Sequence, residues 1–155
     1  MKFEVSIRQA LIADVPAICD LVNHYAERGM MLHRSHESVY DALREFQVAV
    51  DQAGNLVGCV AVDVFWSDLA EVKSLAVSPQ ARRTGLGRRL VEAAVADARQ
   101  LGVRKLFALT YERGFFERMG FELIEREDLP EKVWRECIAC PKVDACDETA
   151  MMLRI

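Results

Sequence analysis

The stretch of sequence from residue 75 to residue 88 combines residue types that bind phosphate. It contains, in order, Leu75, Ala76, Val77, Ser78, Pro79, Gln80, Ala81, Arg82, Arg83, Thr84, Gly85, Leu86, Gly87 and Arg88. A strand pattern ends before Pro79 and an amphipathic helix pattern begins at Gly85. Unpaired N–H groups and the helix dipole attract anions at a helix start, and glycines let a phosphate approach the backbone. The segment therefore predicts a phosphate-binding loop.

A structural interpretation of the same loop stays open. Glycine is often needed for a strand-to-helix turn alone, and the arginines could form a solvated helix face. The spacing matches neither G-x-G-x-x-G nor G-x-x-x-x-G-K-[ST]. Residues 82–105 hold seven basic and two acidic side chains, a net charge of +5. Since the whole chain has a net charge of −4, the other residues together carry −9. Cationic charge is thus concentrated at the loop, whereas the total argues against a general nucleic-acid-binding surface.

A carboxylate lies a few residues before this loop. Residues two apart in a strand share a face, so the strand pattern 69–77 predicts that Glu71, Lys73, Leu75 and Val77 line up. Glu71 in that position could remove a proton from a bound amine, directly or through water. The alternative is a Glu71–Lys73 pair at the surface, which contributes little to stability.

Other side chains offer weaker signals. Arg34 could hold a carboxylate through two hydrogen bonds, with Lys73 as a second cation, but Arg34 is equally compatible with an exposed loop residue. The three histidines have no spacing that indicates catalysis or metal binding. Five cysteines occur, and Cys19 and Cys59 lie among apolar neighbours that indicate core positions.

The remaining cysteines form a C-x2-C-x5-C pattern near the end of the chain. Cys137, Cys140 and Cys146 could supply three thiolates, but zinc would need a fourth ligand and the spacing is not that of a standard finger. We therefore predict free thiols and no bound metal.

The surrounding elements indicate one layered domain over residues 1–155. The composition, 52% hydrophobic and 28% charged over 155 residues, is that of a single globular core. Periodicity predicts strands at 4–8, 47–51, 56–65, 69–77, 106–110, 121–124 and 150–155 and helices at 14–29, 35–46, 85–101 and 115–119. Asp14 is predicted to cap the first helix. The fold class is α/β or α+β, with a mixed sheet flanked by helices. Neither a membrane span nor a signal peptide is visible, so a cytoplasmic location is expected.

The loop and the elements around it resemble a known protein family. Val77, Pro79, Arg82, Arg83, Gly85 and Gly87 form V-x-P-x-x-R-R-x-G-x-G, which resembles the acetyl-CoA-binding motif of the GNAT family of N-acetyltransferases. Residues 116–121 resemble that family's short helix ending in Gly-Phe. The resemblance implies a mostly antiparallel sheet with two splayed central strands, 69–77 and 106–110. It also implies that residues 82–88 hold the pyrophosphate of acetyl-CoA and that the backbone of Leu75, Ala76 and Val77 lies along its pantetheine arm.

A narrower resemblance concerns the bacterial N-acetylglutamate synthases. Residues 70–77, 32–35, 105–110 and 129–134, with the late cysteines, Asp147 and Glu148, are similar to the short stand-alone form of that enzyme. This implies acetyl transfer from acetyl-CoA to L-glutamate, the first step of arginine biosynthesis. It implies Glu71 as the base and Leu32, Arg34 and Lys73 as substrate-binding residues.

One position departs from the broader family pattern. Many GNAT enzymes have a tyrosine, as acid for the leaving thiolate, where this chain has Phe116. Tyr111 is near in sequence but not at that position, so Thr110, with solvent, is the predicted helper. Two alternatives remain: transfer to another amine, and an acyl-CoA-binding regulatory module without turnover. The expected partners are small molecules, neither nucleic acid nor membrane, and a homodimer is left open.

Overall fold

The structure, a computed structural model, describes residues 4–130 and 148–155. Seven strands form one sheet in the order β1-β2-β3-β4-β5-β7-β6. The strands are β1 (Val5–Gln9), β2 (Phe46–Asp51), β3 (Leu56–Trp66), β4 (Leu69–Val77), β5 (Lys105–Thr110), β6 (Glu122–Leu123) and β7 (Thr149–Arg154). The helices are α1 (Val15–Ala26), α2 (His36–Asp41), α3 (Leu86–Leu101) and α4 (Arg113–Arg118). In these described residues, no helix is long and apolar enough to cross a membrane.

The pairing of the strands opens the sheet in the middle. Strands β1 to β4 are antiparallel neighbours, and β7 is antiparallel to both β5 and β6. Strands β4 and β5 are parallel and pair only at Leu69–Lys105, Ala70–Leu106 and Glu71–Phe107. Beyond Glu71 the two strands separate. The predicted mixed, mostly antiparallel sheet with splayed central strands is confirmed.

Helices cover both faces of the sheet. On one face, the buried residues Leu86, Leu90 and Val91 of α3 pack over Val60 and Val62 of β3. On the other face, α1 and α2 pack over β2 and the Cys59–Ala61 side of β3. Helix α3 approaches β3 closely: a Cβ added at Gly58 would lie 2.8 Å from Leu90 Cδ1. The absence of a side chain at Gly58 therefore lets Leu90 of α3 pack directly against β3.

A β-bulge in β4 changes which residues share a face. Cys59 pairs with Ala76 and Ala61 pairs with Lys73, so two residues of β4 oppose one residue of β3. Ser74 adopts a positive φ of 53° at this point. Ala70 and Val72 face α3 before the bulge, and Leu75 and Val77 pack on that same side after it. The prediction that Glu71, Lys73, Leu75 and Val77 line up was therefore wrong, because the extra residue resets the alternation.

The first helix begins where the sequence predicts, but its predicted capping bond is not formed. Helix α1 starts at Val15 with Asp14 at its N-cap, but the Asp14 side chain makes no capping bond to it. The carboxylate instead accepts hydrogen bonds from Leu11 N at 2.7 Å and from both terminal nitrogens of Arg8. Ser35 does cap α2 by accepting from Ser38 N. The predicted helix 35–46 is shorter than expected: α2 ends at Asp41, and a 3-10 turn at Leu43–Glu45 leads into β2.

Replacing Asp14 by alanine is expected to lower the free energy of unfolding by about 1 kcal/mol at pH 7. The hydrogen bond from Arg8 and the one from the Leu11 N–H hold the pKa of Asp14 below its usual value. This stabilisation is present above the ordinary aspartate pKa and disappears as the pH falls through the lowered folded-state pKa. Urea unfolding of the wild type and D14A at about pH 7 and about pH 2 measures it, with the exposed Asp20→Ala as control. An equal difference at both pH values would contradict it.

Candidate active site

The gap between β4 and β5 opens into a cavity of about 1020 Å³. Its walls come from β4, from the start of α3, from the end of β5, from α4 and from the loop before α2. Nearly all of the predicted site residues line it, although they come from distant parts of the chain. The members of the predicted set are Leu32, Arg34, Glu71, Lys73, Leu75, Ala76, Val77, Arg82, Arg83, Gly85, Leu86, Gly87, Arg88 and Thr110.

The phosphate loop (residues 82–88) forms one end of the cavity. Arg83 and Gly85 have positive φ values of 65° and 83°, and α3 begins directly after Gly85. The first residues of α3 line this end of the cavity, and no side chain caps the helix there. Thr84 does not line the cavity, because its hydroxyl donates to the Ala81 carbonyl.

Gly87 occupies a narrow position in this end of the cavity. A Cβ added there would lie 3.5 Å from the Phe115 ring and 3.9 Å from Val77 Cγ2, which is ordinary contact. The protein itself therefore has room for a methyl group at residue 87. A longer side chain would extend into the space beside the helix start.

Strand β4 presents backbone to the cavity after the bulge. Ser78 N donates to Val57 O, which turns the carbonyl of the preceding Val77 away from β3. That carbonyl accepts a hydrogen bond from the hydroxyl of Tyr25, which projects from α1. Sequence analysis missed Tyr25 because its position in the apolar stripe of α1 indicates only a core residue.

Further charged groups lie in and beside the cavity where β4 leaves β5. Glu71 is a largely buried carboxylate, 7% exposed, at the last paired position of β4 and β5. Asp63 lies directly across from Glu71 on β3. Lys73 Nζ lies 2.7 Å from Asp63 Oδ2, so this ammonium is compensated by a protein carboxylate. Sequence analysis missed Asp63, since the cross-strand register is not visible in the sequence.

The Arg34 guanidinium contacts three elements of the fold, α2, β2 and β4. It donates to Ser74 Oγ at 3.2 Å, to Ser38 O at 3.3 Å and to Ser38 Oγ at 3.4 Å. The guanidinium carbon lies 5.2 Å from the centre of the Phe46 ring. Within residues 4–130 and 148–155, no carboxylate lies within ion-pair distance of Arg34. No carboxylate of the described residues therefore compensates the charge of this half-buried cation.

Ser74 links Arg34 to the bulge. Its carbonyl accepts a hydrogen bond from the Cys59 thiol at 3.3 Å, while its hydroxyl accepts from Arg34. Burial raises the pKa of Cys59 to about 12, so this thiol stays protonated and is not a nucleophile. The prediction of Cys59 as a core residue is consistent with this environment.

The aromatic and hydroxyl groups at the end of β5 complete the site. Thr110 is buried, and its Oγ1 accepts a hydrogen bond from Glu112 N at 2.8 Å. Phe116 is 5% exposed and packs edge to face against Phe115 and Phe121. It presents no proton donor, whereas the exposed Tyr111 also lines the cavity.

Part of the sequence-based predictions falls outside the described residues. Cys137, Cys140 and Cys146 lie there, so the prediction of free thiols stays a prediction. In the part of the chain that the structure describes, no group of three His, Cys, Asp or Glu side chains could hold a metal ion.

The fold and this cleft are those of an acetyltransferase. The model of the acetyltransferase (GNAT) family matches residues 16–121, well over half of the chain. The chain belongs to this family, which confirms the family resemblance and the predicted enzyme class.

Its relatives include amino-acid acetyltransferases. The chain is 45% identical to an uncharacterized N-acetyltransferase of Chlorobaculum tepidum, over 96% of each chain. It is 41% identical to the amino-acid acetyltransferase of Neisseria meningitidis over 82% of this chain, but it spans only 29% of that protein. Among solved structures, it superposes with a TM-score of 0.88 on N-acetylglutamate synthase from Neisseria gonorrhoeae complexed with coenzyme A and N-acetyl-glutamate. That match has 35% identity and covers 99% of this chain and 36% of the other.

Proposed function

We propose that this protein transfers the acetyl group of acetyl-CoA to the α-amino group of L-glutamate, as a single domain over residues 1–155. The observation that carries the proposal is that one cavity joins the phosphate loop to Glu71 and Arg34. The phosphate loop suits a pyrophosphate, Glu71 suits an amine, and Arg34 suits a carboxylate. The Neisseria relatives, one of them solved with both coenzyme A and N-acetyl-glutamate, support this choice of substrates.

The cofactor fits the cavity at the end of the phosphate loop. N–H groups at the start of α3 and the cations Arg82, Arg83 and Arg88 favour the pyrophosphate. The pantetheine arm would lie along Leu75, Ala76 and Val77, where β4 has left β5 and its backbone faces the gap. Extended amides bind such an edge as an additional strand would. The thioester then lies between the splayed strands, near Glu71.

Glu71 then acts as the base. The amine of glutamate is mostly protonated at neutral pH, and Glu71 accepts its proton directly or through one water. The neutral nitrogen attacks the thioester carbon and a C–N bond forms. The C–S bond breaks, CoA leaves as a thiolate, and the nitrogen loses its second proton to solvent as the amide forms. The thiolate then takes up a proton. Phe116 cannot supply that proton, so solvent near Thr110 is the proposed source.

Arg34 is the proposed partner of a substrate carboxylate. Three of its five N–H donors are used, one on each nitrogen, which leaves one donor on each terminal nitrogen. Two donors are what a bidentate carboxylate contact requires. Lys73, whose charge Asp63 already compensates, is the weaker candidate for that role.

The test of the function is CoA release from acetyl-CoA across a panel of amino acids, with glutamate first. We expect glutamate-dependent release that requires the folded protein. Release with another amine but not with glutamate would favour the broader acetyltransferase alternative. Tight acetyl-CoA binding without release for any amine would favour the non-catalytic alternative.

Replacing Arg34 by alanine is expected to raise the KM for glutamate strongly. Loss of one partner of a desolvated charge pair costs about 2–5 kcal/mol. Wild-type enzyme should also use glutamine much less well than glutamate if a cation faces the distal carboxylate. If Arg34 binds the distal carboxylate, Arg34→Ala should reduce the difference in kcat/KM between glutamate and glutamine. If Arg34 binds the α-carboxylate, that difference should stay the same.

Arg28→Ala is the matched control for that variant. Arg28 is an exposed arginine close in sequence whose guanidinium donates to His24 O, and it does not line the cavity. Its loss should leave the glutamate KM unchanged. Equal kcat/KM for glutamate and glutamine in the wild type would contradict the clamp on the distal carboxylate.

A further inference from the structure

The backbone of Arg34 is held by a single side chain of α1. Asn23 Oδ1 accepts from Arg34 N at 2.9 Å, and Asn23 Nδ2 donates to Arg34 O at 2.9 Å. One amide side chain thus satisfies both backbone groups of a residue 11 positions later, as a neighbouring strand would. In the described residues, neither backbone group of Arg34 has another hydrogen-bond partner.

Asn23 is itself fixed in position. Its neighbour Val22 is buried in the core beneath α1, and Tyr25, two residues further, donates to the Val77 carbonyl of β4. The loop that carries Arg34 has no regular structure between the end of α1 and Ser35. Asn23 of α1 therefore holds this irregular loop at Arg34, one of the cations that line the cavity.

The hydrogen bonds of the Arg34 guanidinium are weaker than the two that Asn23 makes with the Arg34 backbone. Its three hydrogen bonds are 3.2–3.4 Å long, at or beyond the usual upper limit for N–H···O contacts, whereas both Asn23 bonds have the most common length. The position of Arg34 in the cavity is accordingly set from its backbone. A displaced backbone would move the guanidinium relative to Glu71 and β4.

We infer that Asn23 is a positioning residue of the acceptor site, which orients Arg34 for a substrate carboxylate through this two-bond clamp. The inference rests on the proposed function, because it takes Arg34 as the group that binds the carboxylate of the amino acid. Asn23 does not itself line the cavity. Its effect should therefore appear in binding of the amino acid and not in binding of acetyl-CoA.

Asn23→Ala removes both bonds and should raise the glutamate KM about tenfold, in line with two hydrogen bonds of modest net strength. We expect kcat to change less than about twofold and the Kd for acetyl-CoA to stay the same. Asn23→Asp keeps the acceptor for Arg34 N and loses the donor to Arg34 O, so it should also raise KM. This second variant, of the same size, tests the clamp if the alanine variant fails to fold.

A double-mutant comparison separates positioning from a general loss of stability. If Asn23 acts through Arg34, Asn23→Ala should change the glutamate KM less than about twofold once Arg34 is already alanine. Asn55→Ala is the matched control, since the side-chain amide of Asn55 donates a hydrogen bond to Asp51 and Asn55 does not line the cavity. That control should leave the glutamate KM unchanged.

The outcomes distinguish this inference from the proposed function. Wild-type protein that shows no glutamate-dependent CoA release would overturn the proposed function and the inference with it. Glutamate turnover with an unchanged KM in folded Asn23→Ala and Asn23→Asp would overturn the inference alone. An equal rise in KM with and without Arg34, or a parallel loss of acetyl-CoA affinity, would also overturn it.

Discussion

Glu71→Gln is expected to lower kcat by about 10²–10⁴-fold, because glutamine keeps the size of the side chain and cannot accept the proton of the amine. The loss should be largest where the wild type is most active, and the acid limb of the pH–rate profile that belongs to the base should disappear. Acetyl-CoA affinity should stay the same, since the pyrophosphate is proposed to bind at the phosphate loop, the other end of the cavity. Steady-state kinetics across pH and calorimetry with acetyl-CoA measure the two effects.

Glu122→Gln provides the matched control for that experiment. Glu122 is an exposed carboxylate of β6 and does not line the cavity. Its replacement makes the same chemical change and should leave kcat within about twofold of the wild type. Near wild-type turnover of Glu71→Gln at every pH would mean that Glu71 is only a strand residue.

Gly87→Asp should abolish measurable acetyl-CoA binding while the chain stays folded. The carboxylate would project beside the start of α3, where the proposed pyrophosphate lies. Two like charges 4 Å apart repel by about 4 kcal/mol at an effective dielectric constant of 20, equivalent to about 10³-fold in affinity. Gly87 is a cleaner choice than Gly85, whose φ of 83° would strain any other residue. Calorimetry with acetyl-CoA and circular dichroism check affinity and folding.

Two further variants separate charge and size from general damage to α3. Gln100→Asp adds the same charge at the exposed far end of that helix and should not change affinity. Gly87→Ala adds only a methyl group, which the Phe115 ring accommodates, so its loss of affinity should be much smaller. Unchanged affinity in folded Gly87→Asp would remove the assignment of the phosphate loop.

Local patterns in the sequence were sufficient to predict the main helices and strands and the phosphate-loop half of the candidate site. Strand β4 agrees with the prediction at both ends, and α3 starts one residue later than predicted. Both have periodic apolar residues and clear stop signals, Pro79 and Gly102, whose effects are local. The phosphate loop was equally visible, because a helix start with glycines and arginines is a contiguous feature. Asp14 is at the predicted N-cap, but its carboxylate bonds to Arg8 instead of capping the helix, which the sequence does not show.

The acceptor half of the site was decided by the tertiary structure. The extra residue at Ser74 turns Leu75 and Val77 to the α3 side, and a bulge depends on the register between β3 and β4, which no local pattern encodes. The same register places Asp63 beside Lys73 and so changes which cation can face a substrate. Asn23 and Arg34, 11 positions apart, are brought together by the fold of the loop after α1, which no local pattern encodes. The sequence by itself was sufficient to predict the loop that is proposed to bind phosphate, because that feature is local. Packing between distant segments decided which charged groups meet where β4 leaves β5, since those contacts depend on the register and on the fold.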